Sequence, residues 1–397
     1  MFRKTLPIIL SVVFLTAVGS ATVRFFQPLP IGTLLSPLPD SVRQKVLAAQ
    51  VSAKKVVGFL PFWNLSDVDN LRYRDLSLIY YFGVNVNPDG SFDKTEPGWQ
   101  KLSSPEFQRL QTETSQNHVR LGLALLNMDQ DSIASVVSNP DLFRRVITNT
   151  VALMKDHGFT DLDIDFEYVN PPTGSLSQNF TRFTVEMTAA VHQKIPDGTV
   201  SVAAMADAAS RNRMTDIAAL GKTADFLIVM AYDFHRLDSV TAGPVAPLFG
   251  RDRYEYDVYS SVVDYLSVAP SAKIVLGIPF YGYEWPVENR EPGAFVLGTS
   301  AFGPAVSTYK QTMDTAQKTN SSVNFDENSE SPWFSYFDKD SQTWRQVWFE
   351  NERSLGLKLD LVNQSDLGGI AIWALGYDGP EATPLWQTTE EKLQNKF

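Results

Sequence analysis

Between residues 161 and 167 the chain reads Asp-Leu-Asp-Ile-Asp-Phe-Glu, an unbroken alternation of acids with large apolar residues. Period-two alternation is the signature of a strand with two unlike faces. Leu162, Ile164 and Phe166 then share one face, and Asp161, Asp163, Asp165 and Glu167 the other. Successive members of that acidic file stand roughly 6–7 Å apart by the rise of a strand. Out of bulk water such neighbours repel and drive some of their pKa values upward. No gain in stability accounts for that arrangement. It points to a carboxylate site in which at least one member is held protonated to act as an acid.

The rest of the chain alternates as well. Apolar runs at 55–62, 76–82 and 119–126 read as buried strands, and Asn87-Pro88-Asp89-Gly90 is a turn set by proline and glycine. Ser104-Pro105 and Asn139-Pro140 open helices, and Gly158 closes the second of them. The acidic strand follows, then a helix over 177–194, a strand over 199–205, a helix near 214–220 and a strand over 225–231. A helix near 254–266 leads to a strand at 273–279; a helix over 350–362, a strand at 368–373 and a helix over 384–393 complete the chain. Eight strands alternating with helices predict a (β/α)8 TIM barrel, whose catalytic residues sit at the C-terminal ends of the strands. Glu167, the last acid of its strand, falls there. Residues from about 287 to 346 interrupt the rhythm with glycine, proline and aromatics, and are expected to be a small α+β insertion between strands 7 and 8.

Residues 1–21 carry Arg3 and Lys4, an apolar run and then Gly19-Ser20-Ala21, the pattern of a signal peptide or N-terminal anchor. Residues 22–52, with four prolines, read as a linker, and 53–397 as the catalytic barrel. The body is thus expected outside the cytoplasm, secreted or tethered to a membrane through the N-terminus, and the absence of cysteine from an exported chain leans toward a bacterial source. Lack of cysteine also removes disulfides and thiolate chemistry, and the four histidines show no metal-ligand spacing. A net charge of −11 argues against nucleic acid as a partner and favours an uncharged one.

With the strand ends assigned, residues 158–168 resemble the D-G-x-D-x-D-x-E signature of family 18 glycoside hydrolases, the chitinase family. Asp163, Asp165 and Glu167 match its last three acids, while Thr160 and Asp161 stand where the family has Asp and Gly. Met230-Ala231-Tyr232-Asp233 resembles the family's sixth strand, 276–282 its seventh and 368–373 its eighth; on the third strand Leu125-Leu126-Asn127-Met128 replaces S-x-G-G. Within the family the chain is similar to bacterial enzymes of the spore-germination and cortex-lytic kind, through residues 85–91, 242–246, 281–285 and Val347-Trp348-Phe349-Glu350 with Lys358.

The resemblance implies a retaining glycosidase acting beside N-acetylglucosamine in peptidoglycan or chitin, with the substrate's own N-acetyl oxygen as nucleophile. Glu167 is implied as acid and then base, Asp165 as the holder of the acetamide N–H, Asp163 as its tuner and Tyr232 as the group on the acetamide carbonyl. Trp373, Asp233, Met230 and Tyr281 are implied as substrate contacts, with Trp63, Trp99, Tyr283 and Trp285 as further aromatic candidates. Two other readings use the same residues: a barrel that has lost catalysis and binds chitin or peptidoglycan as a lectin, and a site ligating a divalent cation through the acidic file. The reading carried forward is a monomeric hydrolase without metal or cofactor.

Overall fold

The computed structural model describes residues 54–298, 303–379 and 384–394. The expected leader and linker therefore lie outside the described residues. Eight parallel strands close into a barrel: β1 (Lys55–Pro61), β2 (Leu78–Asn85), β3 (Arg120–Asn127), β4 (Asp161–Phe166), β5 (Thr199–Met205), β6 (Phe226–Met230), β7 (Ile274–Pro279) and the last, β13 (Gly369–Trp373), which pairs with both β7 and β1. This is the (β/α)8 TIM barrel expected from the alternation.

Between β7 and β13 lies a second, five-stranded sheet of β8 (Tyr281–Val287), β9 (Ala305–Thr308), β10 (Asn324–Asp326), β11 (Ser331–Asp338) and β12 (Thr343–Trp348), in the order β10-β11-β12-β8-β9, with the helix Tyr309–Thr319. It begins at Tyr281 rather than near 287, because the aromatic alternation from Tyr281 onward pairs with β12 in place of continuing a barrel crossover.

Several boundaries moved for local reasons. The helix expected from about 254 starts at Val258, where the Asp257 carboxylate caps it by accepting from the Ser260 amide. The first crossover holds only 3₁₀ turns, Phe62–Asn70 and Tyr73–Asp75. A helix at Gln130–Ser138, capped by Asp129, is short enough to have escaped the periodicity reading. The Asn139 cap, Pro140 and left-handed Gly158 (φ 71°) bound the following helix as expected.

The core divides into two layers. Outward-facing Leu162, Ile164 and Phe166 of β4 join the apolar shell between strands and helices. The barrel interior is filled by a separate apolar cluster with members from β1, β2, β3, β6, β7 and β13. β4 and β5 give it nothing: the inward side chains of β4 are acids, and their neighbours across the ladder are Thr199, opposite Asp161, and Ser201, opposite Asp163. The acids sit where every other strand but β5 supplies hydrocarbon.

Behind the small sheet, Lys358 Nζ donates to both oxygens of Glu350 at 3.0 and 2.8 Å, and Ser354 Oγ donates to the same carboxylate at 2.7 Å. Both charged side chains are fully buried. Truncating one partner of such a pair strands the other charge, which costs about 3–5 kcal/mol. Lys358→Met should lower the free energy of unfolding by that amount in denaturant titration, and the paired change Glu350→Leu with Lys358→Met should recover most of it.

Candidate active site

The C-terminal mouth of the barrel opens into a cleft of about 720 Å³. Asp165, Glu167, Tyr232, Asp233, Met230 and Trp373 all line it, as the sequence expectation required. Asp163 and Tyr281 do not. Asp163 lies one step deeper on the same inward face of β4 and is fully buried. Tyr281 is buried beneath the cleft floor, where its hydroxyl and that of Tyr283 (2.9 Å) both donate to Asp233 Oδ1. It meets Asp233 from below and does not reach the cleft lining. Of the other aromatic candidates Trp63 lines the cleft, whereas Trp99 packs on Phe92 and Trp285 is enclosed in the small-sheet core.

Each member of the acidic file meets different surroundings. Asp161 faces the N-terminal end of the barrel, where Arg120 donates to it from Nε (2.7 Å) and Nη2 (2.9 Å). Thr160 Oγ1 donates to it at 2.7 Å, and Thr199 Oγ1 donates as well. The residue in the family's glycine position thus brings its own counter-charge. Asp163 Oδ1 accepts from Ser201 Oγ at 2.5 Å, and Ser201 is 2.9 Å from the Tyr80 hydroxyl. Gly122 makes room for that tyrosine, since a Cβ there would lie 2.4 Å from its ring. Asp163 Oδ2 and Asp165 Oδ1 are buried with no hydrogen-bond partner.

Electrostatics follow from that placement. Burial pushes the Asp163 carboxyl up to about 7, opposed by the hydrogen bond from Ser201. Asp165 is driven well above the ordinary carboxylate range, first by burial and then by the charges of Glu167 and Asp163. The two share one environment and titrate together. Glu167 is also raised, by burial and then by the Asp233 charge. Burial raises Asp233 too, against the two tyrosine hydrogen bonds that favour its ionised form.

The backbone fixes the acid at the rim. Glu167 donates its amide to the Asn127 carbonyl at 3.0 Å, and its own carbonyl accepts from Gln130 Nε2 at 2.8 Å. Gln130 Oε1 accepts from the Val169 amide at 2.9 Å. The third-strand end that departs from the family pattern thus serves as a turn: Asn127 Nδ2 donates to Ser132 Oγ and its Oδ1 accepts from the Asp129 amide, which places Gln130 under the catalytic loop. Asp233 sits at φ 60°, in the left-handed region that aspartate enters more readily than most residues other than glycine. Trp373 ends β13 edge-on to Phe82 (ring centroids 4.6 Å) and Trp63 (6.4 Å) and tilted against Phe59 (5.9 Å).

The family model for glycosyl hydrolases family 18 matches residues 55–378. The chain belongs to that family, one of glycosidases. It is 26% identical over 290 residues to the cortical fragment-lytic enzyme of Bacillus subtilis, covering 70% of this chain and 62% of that relative's length. The crystal structure of the Bacillus megaterium spore cortex-lytic enzyme SleL aligns with TM-score 0.69 at 21% identity, over 86% of this chain and 74% of that one. The second catalytic domain of the Ostrinia furnacalis Group II chitinase aligns with TM-score 0.76 at 20% identity, over 87% and 97% respectively. These likenesses establish the same fold.

Raised carboxyls have a sign in stability. Asp163 in the folded chain holds its proton more tightly than an unfolded aspartate, whose pKa is about 4. Its contribution is full below that value and lost as pH rises through the folded one. The melting temperature should therefore fall between about pH 4 and neutrality. Asp163→Asn should flatten that slope in a pH series of thermal melts.

Proposed function

We propose that the protein hydrolyses β-1,4 bonds next to N-acetylglucosamine in peptidoglycan or chitin, with retention of configuration and with the substrate's N-acetyl group as the nucleophile. The observation that carries this reading is the state of Asp165, the acid nearest Glu167 along the strand. It is buried, held well above the ordinary carboxylate range, and has one oxygen without a donor. An ordinary retaining glycosidase needs an ionised carboxylate close to its acid. Burial and its acidic neighbours disfavour the ionised form of Asp165 that such a task needs, which supports a nucleophile brought by the substrate. A buried acceptor with no partner is instead suited to receive an acetamide N–H.

The steps follow from the placement of each group. Glu167, whose protonated form burial favours, gives its proton to the leaving oxygen as the C1–O bond breaks. The acetamide oxygen forms a bond to C1, giving a positively charged oxazoline-type ring. Asp165 accepts from the ring N–H and stabilises that charge, and the Tyr232 hydroxyl orients the acetamide oxygen. Glu167, now ionised, takes a proton from water while the water oxygen bonds to C1, which reopens the ring and restores the acetamide. Trp373 offers its face to the apolar side of the sugar. The relative named as cortical fragment-lytic supports a glycan of this class.

The body of the protein is placed outside the cytoplasm in this proposal, with residues 1–21 acting as export signal or tether. Among the described residues no helix is long and apolar enough to cross a membrane.

Glu167→Gln should lower kcat on N-acetylglucosamine oligomers roughly 10²–10⁴-fold while keeping the wild-type melting temperature. In the wild type the rate should fall on the alkaline side as Glu167 loses its proton, above the usual glutamate range. Equal rates for the two proteins would overturn the assignment. Oligomer binding without hydrolysis by the wild type would favour the lectin reading.

A further inference from the structure

The two sides of the cleft differ in chemistry. Around Trp373 the wall is aromatic, with Trp63 and Phe82. The opposite wall, from the loops after β5 and β6, carries Arg211, Arg213 and Arg236 beside Asp207, Asp233 and Glu255. In a chain of net charge −11, three arginines gathered on one cleft wall balance the acids there.

These arginines are held differently. Arg213 is committed: it grips Asp207 with two hydrogen bonds, at 3.0 and 2.7 Å, and donates to the Val169 carbonyl at 2.7 Å, tying the β5 loop to the catalytic loop. That leaves Arg211 a share of a carboxylate already claimed, at 3.4 Å, with its side chain 54% exposed. Arg236 pairs with Asp238, also at 3.4 Å, both side chains being more than half exposed, and its charge also reaches Asp233. Exposed ion pairs of this kind are worth little, so both guanidinium groups can exchange partners at small cost. Each presents a planar donor fork suited to a carboxylate.

A neutral glycan offers such a wall single hydroxyl and carbonyl acceptors, whereas a carboxylate engages the fork bidentately and with charge. We propose that Arg211 and Arg236 form a subsite for an acidic substituent on a sugar bound beside the cleavage point, so that the preferred substrate is a glycan bearing carboxylates, as the lactyl ethers of peptidoglycan do, rather than neutral chitin. The inference rests on the glycosidase reading above and decides between the substrates that reading leaves open. Aromatic stacking on one wall and carboxylate capture on the other orient the glycan, since only one direction of the chain puts its acidic sugar beside the arginines.

The test uses the intact protein with three substrates: peptide-free peptidoglycan strands, the same strands with their carboxyls methyl-esterified, and N-acetylglucosamine hexamers. Wild type should favour the acidic strands over the esterified ones by about tenfold in kcat/KM, the scale expected of one or two charge-assisted hydrogen bonds. Most of the difference should lie in KM. Arg211→Ala with Arg236→Ala should lower the ratio of kcat/KM on acidic strands to that on hexamers by a similar factor, and should no longer distinguish esterified from free strands. Equal wild-type rates on free and esterified strands would overturn the proposal, as would a proportional loss on all three substrates in the variant. Esterification leaves the protein untouched, so misfolding cannot mimic the expected result. Failure of the glycosidase reading is separate, since Glu167→Gln would then match wild type on every substrate.

Discussion

A barrel interior is apolar, and a strand that lines it with three aspartates can be accommodated only if its neighbours change too. That constraint organises this molecule. β5 gives up hydrocarbon for Thr199 and Ser201, placed in register with Asp161 and Asp163. Tyr80 on β2 reaches across to Ser201, and Gly122 on β3 makes space for its ring. Three other strands, β2, β3 and β5, thus carry residues that accommodate the acidic file. Buried charges are costly unless paired or protonated, and both remedies appear along a single strand.

Much of this was legible before any coordinates. Alternation of acids with Leu162, Ile164 and Phe166 marked β4, and its place as fourth of eight strands put Glu167 at the catalytic end. Less legible was which face of an aromatic strand would look at the cleft. Tyr281, Tyr283 and Trp285 are spaced two apart, like the acids, and the same period-two rule puts them on one face. That face is turned toward Asp233 and the small-sheet core rather than to substrate, because β8 leaves the barrel to pair with β12. Sequence period fixes which residues share a face; only the pairing partner fixes where that face points.

Other residues were missed because their roles are set by partners remote in sequence. Nothing near Gln130 announces that its amide bridges the Glu167 carbonyl and the Val169 amide, and nothing around Ser201 marks it as a donor to Asp163. The departure on the third strand was visible as an oddity without a meaning. In the structure Asn127 forms the turn that positions Gln130, so the rim of the catalytic loop is held by side-chain amides. A signal did exist for Arg213: Asp207 and Arg213 flank a polar loop beyond a strand end, where functional side chains gather.

Hydrogen-bond satisfaction along β4 falls in one direction. Asp161 at the closed end receives donors from Arg120, Thr160 and Thr199. Asp163 receives one, from Ser201, and keeps one oxygen unpaired. Asp165, next to the cleft, has a buried oxygen with nothing to accept from. Burial raises both Asp163 and Asp165 above the ordinary carboxylate range, and because donors favour the ionised carboxylate, the single donor at Asp163 opposes that effect while Asp165 lacks even one. Asp161, locked to Arg120 by two hydrogen bonds, anchors the strand. Asp165 is left as the place where the interior network is incomplete, and a ligand that brings an N–H to it supplies the donor that the fold withholds.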